Sequence, residues 1–314
     1  MRVIDFHCDT LTMLRTGESF EKNSRMVDLE RLEKAGVRVQ CCAAFVPTGV
    51  YPEQVRDQKS MEEFLRIQGV WKKLLTQHRE RLLPVCTVED LERCFREEKT
   101  GLLLTIEDGG VCGSEQAGIQ KVFEMGVRLI TLTWNYENAL GYPNGTEGGL
   151  KPFGFEAVEE MNRLGILVDV SHLSDQGFWD VAGICRGPFL ASHSNAREIT
   201  PHRRNLTDEM IRKIGESGGI IGLNFAPDFL GEDGVSRISD MVRHVLHIRN
   251  KGGADVLALG SDFDGIGGTL EIEGPDRLEL LWDALRKAGI SGLDLEKMQY
   301  RNGQRVLREV LPCR

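Results

Sequence analysis

Three of the seven histidines close short apolar runs, each with a carboxylate or hydroxyl beside it. His7 lies in Asp5-Phe6-His7-Cys8-Asp9, His172 follows Val168-Asp169-Val170-Ser171, and His193 follows Phe189–Ser192. Glu107 closes the run from Leu102, and Asp262 closes the run from Val256. Side chains alternate faces along a strand, so Asp5, His7 and Asp9 are expected on one face and Phe6 and Cys8 on the other. An imidazole beside a carboxylate is a pair of ligands for a zinc-type metal. A single H-x-D reads more readily as a buried histidine bonded to its neighbour. Similar polar groups close later strands at the same structural place, and that favours chemistry. The other histidines, His78, His202, His244 and His247, fall on helices or loops and are expected to be exposed or locally bonded.

Together, His7, Asp9, Glu107, His172 and His193 have the composition of a two-metal hydrolytic centre. Neutral imidazoles suit zinc, and a carboxylate can bridge two ions. Ions roughly 3.5–4 Å apart can hold a hydroxide between them and polarise a carbonyl. Glu107 is the expected bridge, because its strand falls between that of His7 and Asp9 and those of His172 and His193. Asp262 could take the proton of the attacking water and pass it to the leaving amine. It could instead be a supporting carboxylate or a turn residue in Gly260–Gly265, with Asp264 as the alternative acid–base group.

Such a set works only if one scaffold brings the strand ends together. Short apolar runs alternate with helical patterns along the whole chain. The expected strands are Arg2–His7, Val37–Phe45, Leu102–Glu107, Val127–Trp134, Ile166–His172, Phe189–His193, Ile220–Phe225 and Val256–Asp262. Helices are expected over Leu29–Ala35, Pro52–Arg79, Val88–Glu97, Phe155–Leu164, Asp175–Ile184, Thr207–Glu216, Ser239–Asn250, Pro275–Ala288 and Leu293–Leu311. Near-continuous apolar strands imply a parallel sheet covered on both faces. Eight β-then-α units are the count of a closed (β/α)8 TIM barrel, whose sites lie at the carboxyl ends of its strands. The competing open doubly wound sheet lacks a G-x-G-x-x-G after the first strand. We therefore expect one domain over residues 1–314, a TIM barrel of the metal-dependent hydrolase (amidohydrolase) type. The loops Thr48–Gln54, Asn135–Lys151 and Phe225–Ser236 are candidates for lid or dimer contacts.

With 41% hydrophobic and 28% charged residues, the composition is that of a soluble globular protein. A net charge of −9 argues against nucleic-acid and anionic-membrane partners. Residues 1–7 read directly as a strand rather than a secretory leader, and no apolar run is long enough to cross a bilayer. The eight cysteines show no C-x-x-C spacing. A reduced, cytoplasmic protein is expected.

The motifs Asp5-x-His7-x-Asp9, Ile106-Glu107, Leu132-Thr133, Val168–His172, Ser192-His193-Ser194, Arg204-Asn205 and Ser261–Gly265 appear in this order nearly end to end. In this the chain resembles the membrane (renal-type) dipeptidases, a family of metallopeptidases, as does the stretch Val27-Asp28-Leu29 through Gly36-Val37. The resemblance implies a (β/α)8 barrel with two zinc ions, one held by His7, Asp9 and Glu107, the other by Glu107, His172 and His193. It implies that Asp262 is the catalytic aspartate. It also implies that Arg204, which composition alone would leave as a surface charge, grips the substrate carboxylate with its bidentate fork. Dipeptides, often with a D-residue second, are the implied substrates, and a homodimer the implied assembly. One position departs from the family. Its animal members carry a histidine after Leu-Thr, where this chain has Trp134 followed by Asn135. Trp134 could shape the pocket or merely pack, and Asn135 could supply an amide donor. The departure leaves open a related binuclear-metal amidohydrolase acting on another amide, lactam or ester. The secretion, lipid anchor and disulfides of the animal enzymes are not expected; a bacterial-type cytoplasmic form is.

Overall fold

Segments such as Gln40–Ala44 and Leu102–Ile106 are buried throughout, and such runs are stable as strands covered on both faces. The computed structural model describes residues 1–15, 17–231 and 233–313. Among them the strands are β1 Val3–Asp5, β2 Val37–Phe45, β3 Leu82–Pro84, β4 Thr100–Glu107, β5 Val127–Thr131, β6 Leu167–Asp169, β7 Ile221–Leu223, β8 Val235–Ser236, β9 Leu257–Leu259 and β10 Thr269–Leu270. The main sheet is parallel and runs β6-β5-β4-β2-β1-β9-β7.

The expected strand Phe189–His193 is reduced to two residues, and these close the barrel. Leu190 pairs with Asp169 of β6, and Ala191 pairs with Ile221 of β7, both in parallel. The Leu190 N–H donates to Val168 O at 3.0 Å and the Ala191 N–H to Ile220 O at 3.1 Å. Ser192 then leaves the ladder because the Asp169 side chain takes its N–H at 2.8 Å. Seven strands and this stave make the (β/α)8 barrel. β3 was not expected. It pairs with Thr100–Leu102 of β4, below the stretch where β5 pairs with Leu104–Glu107.

Every stave contributes to one apolar cluster: Ile4, Val39, Leu103, Leu129, Leu167, Leu190, Ile220 and Ala258. This smaller cluster, with one residue from each stave or its start, fills the inside of the barrel. Val306, Leu307 and Leu311 join it from the end of the chain. A larger cluster packs the outer strand faces against the helices.

Helix ends follow their local chemistry. Asp28 caps Leu29–Ala35 by accepting from the Arg31 N–H, and Gly36 ends it at φ 71°, the left-handed region glycine tolerates best. Thr207 caps Asp208–Glu216. The long helix covers Arg56–Gln77, with a 3-10 turn at Glu53–Val55 before it. The expected helix Leu293–Leu311 is broken into Gly292–Glu296, a wide turn over Lys297–Arg301, and Asn302–Val310. The Asn302 amide donates to Ala254 O and Leu257 O there, tying the segment to the start of β9. All eight cysteines are free, and no helix among the described residues is long and apolar enough to cross a membrane.

Two glycines let three staves meet. A Cβ on Gly222 or Gly260 would fall 1.9 or 1.8 Å from Ser192 O. Backbone has nowhere to give, so Gly260→Ala should destabilise the fold by about 1–3 kcal/mol, read as a lower urea midpoint at unchanged slope.

Candidate metal centre

Strand ends alone do not aim these side chains; buried carboxylates fix the turns that follow. Asp5 accepts from the Ser261 N–H and hydroxyl, at 2.9 and 2.6 Å, locking the end of β1 to the segment that carries Asp262. Asp5 is thereby spent on a neighbouring strand and does not join His7 and Asp9. Asp169 does the same on the far side, accepting from the Ser171 and Ser192 N–H groups and from the hydroxyls of Thr131 and Ser192. His172 and Asp262 themselves adopt φ of 67° and 64°. Non-glycine residues rarely occupy that region, and such strain gathers at functional sites.

The five residues expected as ligands converge. His7 Nε2 lies 3.5 Å from Asp9 Oδ2, 3.4 Å from Glu107 Oε2 and 3.7 Å from Asp262 Oδ1. Glu107 Oε1 lies 3.0 Å from His172 Nε2 and 3.7 Å from His193 Nε2. One carboxylate thus touches imidazoles from three staves. His7, Glu107 and His193 offer ligand atoms within 4.8 Å of one another, as do His7, Asp9 and Asp262.

Hydrogen bonds fix the tautomers. The Ser192 hydroxyl gives its proton to Asp169 and so accepts from His193 Nδ1–H at 2.7 Å. His172 Nδ1–H donates to the Asn135 amide oxygen at 3.0 Å. Both Nε2 atoms therefore turn bare lone pairs inward, 3.0 Å apart. Both ring nitrogens of His7 and Asp9 Oδ1 are buried with no hydrogen-bond partner. Facing lone pairs and partnerless buried donor atoms are costly unless a cation satisfies them, so the residues fit a metal cofactor.

Charge is distributed accordingly. Burial works against a proton on His7, but Glu107 and Asp9 outweigh it and raise its pKa well above the usual value. Burial, and then the charges of His7 and Arg204, push His193 well below the histidine range. Burial and Arg204 lower His172 to about 4. Glu107 stays ionised although burial opposes it, chiefly because the charge of His7 holds its pKa down. Burial raises Asp9 to about 6, helped by Glu107. Burial raises Asp262 to about 7, against His7 and with help from Asp9 and Glu107.

Arg204 is not at the surface. It is buried, with Nη1 3.4 Å from Ser194 Oγ, Nη2 3.3 Å from His193 O and Nε unpartnered. Burial lowers its pKa to about 10. Trp134 stands 6.3 Å, ring to ring, from His172. Asn135 is engaged through its oxygen by His172. Asp264 is taken up by the Thr10 hydroxyl and the Met26 N–H, at 2.6 and 2.8 Å.

Asn224 escaped the sequence analysis. Its Oδ1 accepts from the Ala226 N–H, which turns Nδ2 toward Asp262 Oδ2, 3.0 Å away, and His193 O, 3.3 Å away. The signal was present, since Asn224 is the polar residue at the end of an otherwise apolar strand. His244 was expected to be exposed or locally bonded, yet it is fully buried. It accepts from the Ala196 N–H at 3.1 Å and lies 3.2 Å from Leu230 O, bracing the loop that carries Arg204.

The fold and this cluster define a metal-dependent hydrolase built on a (β/α)8 barrel. The family model of the membrane dipeptidases, peptidase family M19, matches residues 1–313. An uncharacterised protein in the pqqA 5′ region of Klebsiella pneumoniae is 37% identical over 255 residues, covering 77% of this chain and 94% of its own. The dipeptidase tcpJ of Claviceps purpurea is 30% identical, covering 98% of this chain and 76% of its own. A crystal structure of dipeptidase AC, a metallopeptidase of family M19, superposes with a TM-score of 0.92 at 28% identity over 99% of both chains. A metallopeptidase from Rhodobacter sphaeroides, bound to a phosphinate mimic of L-Ala-D-Ala, gives 0.88 at 27% identity, again over 99% of both. The chain belongs to the membrane dipeptidase family, M19, and is a metallodipeptidase.

The buried His244 sets a pH limit on stability. Burial lowers its pKa from 6.5 to about 4, so the unfolded chain takes up a proton there at a higher pH than the folded one. That contribution is intact above pH 6.5 and is lost as pH falls toward 4. Between pH 7 and 4.5, wild type should lose roughly 2–3 kcal/mol more than His244→Gln, measured by urea unfolding at both pH values.

Proposed function

We propose that this chain hydrolyses dipeptides, L-Xaa-D-Xaa among them, with two zinc ions. His7, Asp9 and Glu107 would hold one, and Glu107, His172 and His193 the other. The observation that carries the reading is a buried guanidinium with a free Nε, on Arg204, beside a cluster of inward-facing imidazoles and carboxylates. When bound, the ions polarise the peptide carbonyl and make water nucleophilic at neutral pH.

The chain's own groups supply the rest. Arg204 takes the substrate's terminal carboxylate and sets which bond lies over the cluster. Asp262, with Oδ2 held by Asn224 and Oδ1 facing His7, takes the water's proton and returns it to the leaving amine. A pKa raised to about 7 by burial suits a group that must do both. Trp134 borders the mouth, and Asn135 keeps the His172 ring turned inward. A cytoplasmic homodimer completes the proposal, the free thiols fitting a reducing compartment.

Metal-loaded protein should cleave L-Ala-D-Ala or L-Ala-L-Ala, lose activity to a chelator and regain it with Zn²⁺, with two zinc ions per chain by elemental analysis. Cleavage of amides, lactams or esters with none of dipeptides would reject the substrate assignment. Asp262→Asn should lower kcat by about 10²–10⁴ with metal content retained. Arg204→Met should act chiefly by raising KM.

A further inference from the structure

One side of the mouth is aromatic. Phe45 of β2 is paired with Glu107 of β4, and residues paired across adjacent strands point to the same face. The Trp134 ring lies 4.9 Å from the Phe45 ring and 5.5 Å from that of Tyr136. Phe45 and Trp134 are half-buried and Tyr136 is 41% exposed, so the three rings form an open surface rather than core.

The surface is firmly mounted. Asp108, directly after Glu107, accepts from the Thr48 N–H and hydroxyl, both at 2.9 Å, and from the Asn138 amide at 2.7 Å. These bonds tie both loops behind the rings to the end of β4. Tyr136 sits on Gly49, where any Cβ would come within 2.3 Å of its own.

The direction of the substrate decides what meets the rings. Arg204 reaches the cluster from the His193 side, whereas the rings stand on the Glu107 and His172 side. In a dipeptide only one residue lies between the carboxylate and the peptide carbonyl. With the carboxylate on Arg204 and the carbonyl at the cluster, whatever continues past the cluster belongs to the amino-terminal residue. Asp9 and Asp262 gather on the His7 side of the cluster; an amino group drawn to those carboxylates leaves its side chain to the rings.

We propose that Phe45, Trp134 and Tyr136 form the binding surface for the first residue's side chain, and that the enzyme selects dipeptides beginning with a large apolar residue, aromatic ones above all. The inference rests on the dipeptide reading above. Apolar contacts of this kind discriminate by about 10–200-fold, and ring-on-ring contact adds to area burial.

The test is kcat/KM for Gly-D-Ala, L-Ala-D-Ala, L-Leu-D-Ala and L-Phe-D-Ala, with L-Ala-D-Phe as the second-position control, on protein of measured metal content. Wild type should favour L-Phe-D-Ala over Gly-D-Ala at least tenfold. Trp134→Ala should cut that ratio at least tenfold, Trp134→Phe should keep most of it, and neither should alter the ratio of L-Ala-D-Phe to L-Ala-D-Ala. Hydrolysis without first-residue discrimination in wild type overturns this inference alone, whether or not the variants fold. So does a Trp134→Ala effect confined to the second position. No cleavage of any dipeptide removes the underlying reading as well.

Discussion

Glu107 is a buried carboxylate within reach of imidazoles from three staves, and the rest of the molecule is consistent with holding it there. An isolated buried carboxylate would cost several kcal/mol and would sooner take a proton. Here the charge of His7 is the main influence that keeps it ionised, and the imidazoles around it are three. They come from residues 7, 172 and 193, so their meeting depends on barrel closure. That closure rests on Leu190 and Ala191, the shortest of the eight staves. A site assembled this way has no local version; it exists only when the whole ring has formed.

Two further carboxylates make the ring rigid where it matters. Asp5 ties the His7 turn to the Asp262 segment, and Asp169 ties the ends of β5 and β6 to Ser192. Neither touches the centre through its own oxygens. Each replaces ladder hydrogen bonds where the strands stop, and each constrains a turn that carries a side chain of the cluster. Ser192 relays this constraint to His193 Nδ1, so the tautomer of a ring at the centre is set by a carboxylate one residue further out.

The sequence showed the barrel and the converging set because both depend on local patterns. Apolar runs of strand length alternate with helical periodicity, and His7, Glu107, His172, His193 and Asp262 stand out as polar residues that end such runs. Other features depend on contacts between distant segments and left weak traces. Asp5 has the spacing of a ligand, and only the arrival of Ser261 from the far end of the chain shows why it is not beside His7. Arg204 is indistinguishable from a surface arginine until the loop carrying it folds over the mouth. Asn224 ends its strand just as His172 does, but an amide suggests no chemistry until Asp262 is placed opposite. β3 is too short and too ordinary in composition to be read without its partner.

The Asp108 clamp has a consequence for how such enzymes diversify. It fastens the aromatic loops by a residue next to Glu107 but outside the ion cluster, while the Arg204 loop is fastened separately by His244. Apart from Asn135, which holds the His172 ring, and Arg204 itself, residues on either loop can change without loosening the inner ring, provided each anchor stays. The aromatic wall and the buried cluster thus hang from separate fastenings, so the outer surface of the mouth is mechanically uncoupled from the ring of staves beneath it.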